Sequence, residues 1–203
     1  MPTTTLTIAR KRRPASTQRR VASLVQRAAA GDELAWRDLV AEFAGLVWAI
    51  TRAHRLSDAD AAEAAQNTWT RLIEHIDRLH DPGRVGAWLA TTARRECLRV
   101  LGQAKGVVPV GDAGNDQVAD TPDHDAALID EERDAALWQA FERLRPRHRA
   151  LLRMLVADPR PSYVEISAAL DMPVGSIGPT SARALKQLRR ELERLRITGD
   201  EWS

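Results

Sequence analysis

Near the C-terminal end of the chain, Ser176, Thr180, Arg183, Lys186 and Arg190 recur along a stretch that also carries Leu185, Leu188 and Leu192. Thr180 and Arg183 fall on one helical side with Lys186, opposite the leucines. Hydroxyl, guanidinium and ammonium groups so placed can read base edges and neutralise phosphates in a DNA groove. A second set, Arg84, Trp88, Arg94, Arg95 and Arg99, interleaves cations with an aromatic ring. That pattern suits backbone neutralisation together with stacking on an unpaired base. It fits equally a helix whose tryptophan is core and whose arginines are merely solvated. A third set, Asp60, Glu63, Gln66, Asn67 and Trp69, places carboxylates and amides beside an aromatic. Such a face repels DNA but can dock a protein, or it is an ordinary outer helix surface.

Catalysis finds no support among the remaining residues. His54, His75, His80, His124 and His148 do not pair with Cys or carboxylates at metal-ligand spacing, so no metal site is expected. No Gly-rich phosphate loop and no nucleophile elbow occurs, and no cofactor is implied. Cys97 lies on the apolar side of its predicted helix and reads as core. Being the only cysteine, it excludes an internal disulfide and fits a reducing compartment. No apolar run reaches membrane-spanning length, and the basic N-terminus lacks a following apolar segment. A cytosolic protein that is not an enzyme is expected. Its chemistry is charge and surface shape.

The elements that position these groups are helical. Among 203 residues there are 6 Trp but only 2 Phe and 1 Tyr, and Ala and aliphatic residues abound. This balance favours helices over sheets. The net charge of +2 conceals a segregated distribution. Residues 1–18 read as a disordered basic arm carrying Arg10, Lys11, Arg12 and Arg13, more a solvated tail than a DNA contact. Four amphipathic helices follow over 19–101. The first stops at Gly31, the second carries Leu39, Phe43, Leu46 and Ile50, and the third is capped by Ser57 and runs to about His80. Asp81-Pro82-Gly83 breaks it before the fourth. Residues 102–130 mix Gly and Pro with Asp112, Asp116, Asp120, Asp123 and Asp125, and read as a flexible acidic linker. Residues 131–197 hold four short helices. The expected fold is all-α: two small helical domains joined by that linker.

The last two helices have the most specific pattern. Ser162 and Glu165 have capping-box spacing, Asp171 sits at a turn, and a longer basic helix follows. With Ser176 as its N-cap, Pro179 falls in the first turn, where its missing N–H costs little. A capped helix, a tight turn and a basic helix make a helix-turn-helix, though an αα-hairpin with a solvated cationic face fits too.

From Leu24 to Arg196 this order of parts resembles an extracytoplasmic-function (ECF) sigma factor of the sigma-70 family. GDELAWRDLVAEF at 31–43 and DAAEAAQNTW at 60–69 resemble sigma region 2, and AWLATTARREC at 87–97 is similar to the family's Trp-Leu-x-x-x-Ala-Arg segment. LRPRHRALLRML at 144–155 and SYVEISAALDMPVGSIG at 162–178 resemble region 4. The resemblance implies that Asp60, Glu63, Gln66, Asn67 and Trp69 bind core RNA polymerase. It implies that Arg84, Trp88, Arg94, Arg95 and Arg99 meet the promoter −10 element, and that the helix-turn-helix meets the −35 element. An anti-sigma partner belongs to the same picture. The chain departs from the family at Arg95 and Arg99, where Asn and Asp are usual, at Asn67 and Asp171, and at Gly178-Pro179-Thr180. Two other functions share these features: a stand-alone helix-turn-helix regulator, and a sigma-like adaptor that binds no DNA.

Overall fold

The computed structural model describes residues 13–54, 56–104 and 131–195. Those residues form eight α-helices and two single-turn 3-10 helices, with no strand among them. Helix α1 spans Ala15–Ala29, α2 Glu33–Ala53, α3 Asp58–His75 and α4 Val85–Ala104. The second group is α5 Glu131–Glu142, α6 Pro146–Val156, α7 Tyr163–Leu170 and α8 Val174–Arg194. Residues 105–130, the bulk of the expected linker, and residues 1–12 of the expected arm lie outside the described residues. The arm ends sooner than expected, because helix α1 already begins at Ala15.

Local signals explain most boundaries. Gly31 follows α1 with φ +89°, a left-handed conformation that glycine adopts without a Cβ clash. Asp32 then caps α2 by accepting from the N–H groups of Leu34 and Ala35, both at 3.0 Å. Those bonds, the Ala35 one foremost and then Arg27, hold its carboxyl below the usual range. Ser57 caps α3 through the Asp60 N–H at 3.2 Å. Helix α3 ends at His75 rather than near His80. Two 3-10 turns, Ile76–Arg78 and Pro82–Arg84, carry the chain into α4, and Pro82 begins the second of them. The capping box of α7 is complete in both directions, and Asp171 closes that helix with φ 49°.

The two expected domains do not keep separate interiors. Leu39, Phe43, Leu46 and Ile50 form one face of α2 and pack with Leu72 of α3 and Leu89, Ala93 and Cys97 of α4. The same apolar cluster continues into Leu151 and Met154 of α6 and Ile166 and Ala169 of α7. A smaller cluster of Leu144, Leu152 and Ala184 holds α5, α6 and α8 together. Helix α7 lies along α4 in the same direction: Glu165 sits over Gly86, and Asp171 beside Arg94. A Cβ at Gly86 would fall 2.3 Å from Glu165 Oε1 and 2.8 Å from Phe43, so only glycine admits this approach. Arg153 of α6 adds a bond to the Arg52 carbonyl at the end of α2, 3.1 Å.

Candidate nucleic-acid interface

Helix α4 presents a stripe along its outer side. Trp88, Thr92, Arg95 and Arg99 are spaced by four, three and four residues, which keeps them on one face. The Trp88 ring is half-buried against the core, its centroid 6.3 Å from that of His75 at a 38° tilt. Trp88 thus packs against α3 and the core while remaining partly exposed. Arg95 is exposed. Arg99 donates to Glu96 at 2.7 Å and to Glu63 at 2.9 Å, and those bonds, Glu96 first, strengthen its hold on its proton. Arg84 stands apart, in the 3-10 turn before α4, with Asp81 3.9 Å away. Arg94 points elsewhere: it pairs with Asp171 of the second helical group at 3.0 Å.

Helix α3 places Glu63 and Gln66 on an exposed face, with Asn67 half-buried beside them. Ile73, 59% exposed, extends this face by two turns. Trp69 packs against the core at one edge and is half-buried. Asp60 has a local task, accepting from the Ser57 hydroxyl at 2.8 Å at the helix start. Glu63 joins this face to the α4 stripe through Arg99, so an acidic and a basic surface that looked separate in the sequence share an ion pair. A single sequence gives no signal for such a cross-helix pairing.

The basic helix α8 differs from the expectation in two ways. It begins at Val174, preceded by Pro173, and Ser176 is not its N-cap; the Ser176 hydroxyl donates to the Pro173 carbonyl at 2.7 Å. Pro179 therefore lies inside the helix and leaves the Gly175 carbonyl without its usual donor. Gly175 is exposed, so water can serve that carbonyl. Thr180 is the second correction. It is only 8% exposed, on the inward side with Ile177 and Ala184, and its hydroxyl accepts from Arg183 at 3.3 Å. Leu185, expected inward, is exposed. Arg183, Lys186, Arg189 and Arg190 remain on the outer side. Arg183 is drawn back along the helix, its Nε donating to the Pro179 carbonyl at 3.2 Å.

Cys97 and His54 are buried as well. Burial pushes the Cys97 thiol up to about 12, which makes it inert as a nucleophile at neutral pH. His54 closes α2 beneath α7, where neither ring nitrogen has a partner with hydrogen-bond geometry. Burial lowers its pKa to about 4; the Ala169 backbone opposes this in part, and the Arg94 charge adds to it. Among the described residues no cluster of three or more His, Cys, Asp or Glu can hold a metal ion, and no helix is long and apolar enough to cross a membrane.

Residues 39–106, which include α3 and α4, match the family model for sigma-70 region 2. No curated protein matches the chain. Its fold is similar to that of CnrH, solved in complex with the cytosolic domain of CnrY. The identity is 18%, over 86% of this chain and 97% of that one, with a TM-score of 0.58. That likeness extends well beyond region 2 into the second helical group.

Proposed function

We propose that the chain belongs to the sigma-70 family, whose region 2 model matches residues 39–106, and that it is a transcription initiation factor of the extracytoplasmic-function type, which binds core RNA polymerase and directs it to promoters in the cytoplasm. Sigma-family proteins are not enzymes; they lend sequence recognition to the polymerase that performs the chemistry. The observation that carries the proposal is the pair of outward faces within residues 39–106, one acid and amide on α3, the other aromatic and cationic on α4. Glu63, Gln66 and Ile73 supply a polar face with an apolar end, suited to a protein partner. Trp88 and Arg95 supply a stacking ring and a phosphate contact for an opened −10 strand. Arg183, Lys186 and Arg190 of α8 are the exposed groups for the −35 element, Arg183 toward base edges and the other two toward phosphates.

Simultaneous use of both elements requires the two helical groups to separate. Elements roughly 25 base pairs apart are about 85 Å apart at ~3.4 Å per pair. A compact chain of this length is about 45 Å across. Undocked, the two groups act at high effective concentration on one polymerase. A protein that binds and holds the docked chain fits the same reading, by likeness to CnrH with the cytosolic domain of CnrY. The test is co-elution with core polymerase on gel filtration. Gln66→Arg with Ile73→Asp should abolish it at unchanged helicity, since both side chains are exposed. Asp60 is the poorer site to change, because it also serves the start of α3. Undiminished co-elution of the double variant would remove α3 from the polymerase contact.

A further inference from the structure

The carboxylate of Glu165 is 3% exposed, at the junction between α7 and the first helical group. One oxygen, Oε2, is used by its own helix, accepting from the Ser162 N–H at 2.7 Å. The other, Oε1, leaves the helix across Gly86 and accepts from Arg13 Nε at 2.9 Å. The same guanidinium donates to Glu42 of α2 at 2.6 Å and lies 5.0 Å from the Phe43 ring centroid. One side chain just before α1 thus ties α2 to the first helix of the helix-turn-helix. At the far end of α7, Arg94 and Asp171 make the second ionic tie.

We infer that Arg13 is a latch that holds the helix-turn-helix group docked on the first group, with Glu165 as its keeper. Removing a carboxylate from water is unfavourable unless a charged partner replaces the lost hydration. In the docked state Arg13 supplies that partner. When α7 lifts away, Glu165 regains water and retains its capping bond to Ser162, so it has no further need of Arg13. The Arg13–Glu165 contact therefore favours the docked state alone, and its loss shifts the balance toward the state in which Arg94 and the α7 face of α4 are free. A hydrogen bond between charged groups contributes roughly ten- to hundred-fold in such an equilibrium. The residue lies in a stretch that reads from sequence as a solvated basic tail. The structure gives its last cation a specific task.

The test is hydrogen exchange on the free full-length chain, with no polymerase present, so its outcome is separable from that of the proposed function. Arg13→Gln should speed exchange in α7 and the facing part of α4 by ten-fold or more, with α2 core amides unchanged. Arg20→Gln, which removes only a bond to Glu42 within the first group, should not do so. In a Glu165→Gln background, whose amide can still cap α7, adding Arg13→Gln should have little further effect. The latch is overturned if Arg13→Gln leaves α7 exchange at the wild-type rate. It is equally overturned if all helices speed up together, or if the effect is undiminished in the Glu165→Gln background.

Discussion

Acidification from pH 7 to pH 4 should weaken this protein chiefly through His54. The ring is buried beneath α7 and lacks a hydrogen-bond partner for either nitrogen. Its pKa falls from 6.5 to about 4, chiefly through burial, so the folded protein holds it neutral. Once the junction opens, the ring meets water and titrates near its ordinary value. Below pH 6.5 the opened chain therefore binds a proton that the closed one refuses, and stability falls as pH falls. Each pH unit between 6.5 and 4 costs about 1.4 kcal/mol, and the loss accumulates to roughly 3 kcal/mol before levelling off near pH 4. That is a large part of the ~5–15 kcal/mol typical of a domain. Urea unfolding followed by tryptophan fluorescence at half-unit steps from pH 7.5 to 4.5 measures the slope. His54→Leu replaces the ring with an apolar group of similar size and should flatten the curve in that window. A His54→Leu protein that keeps the wild-type slope would refute the assignment of the acid response to this ring.

Other outcomes follow from single contacts. Gly86→Ala would ordinarily favour a helix by about 1 kcal/mol. Here its methyl meets Glu165 and Phe43, so thermal unfolding should show a net loss of roughly 1–3 kcal/mol. Burial pushes the Glu42 carboxyl up, but bonds to Arg20 and then Arg13 outweigh it and leave it below its ordinary 4.5. Its contribution to stability is therefore present above about pH 4.5 and lost at lower pH, and Arg20→Gln should shrink that acid limb in a pH titration of unfolding. Thr180→Val should leave promoter preference unchanged in transcription assays, since the side chain faces inward. Arg183→Ala should relax preference at one −35 position by about 1–3 kcal/mol. Protease nicking within residues 105–130 should leave two fragments that co-elute on gel filtration, because α6 and α7 share the first group's core. Fragments that separate freely would contradict the docked arrangement.

The helices were legible because their signals are local. Ser57, Ser162 with Glu165, Asp171 and Gly31 each fix a boundary through their own backbone neighbourhood, and the apolar period of α2 names its buried face. Pro179 misled the sequence reading because proline is easiest to accommodate in a first turn; the helix begins earlier, on Pro173, and tolerates the lost bond where Gly175 meets solvent. Thr180 faces inward because it stands three residues after Ile177 and four before Ala184, a spacing that puts all three on one side of the helix. The docking of α7 on α4 was not legible at all. It depends on Gly86 meeting Glu165, 79 residues away along the chain, and on Arg13 meeting the same carboxylate across 152. No periodicity links such positions. The Glu63–Arg99 pair is hidden for the same reason, since each residue was read on its own helix.

The central claim is promoter-directed initiation, and reconstituted transcription tests it most directly. Core RNA polymerase, with and without this chain, is given fragmented DNA from the source genome, and transcript 5′ ends are mapped. The account predicts start sites that depend on the chain and share two short conserved elements at fixed spacing upstream. Trp88→Ala should weaken these starts and Gln66→Arg with Ile73→Asp should erase them. Start sites that are the same in the presence and absence of the chain would contradict the account.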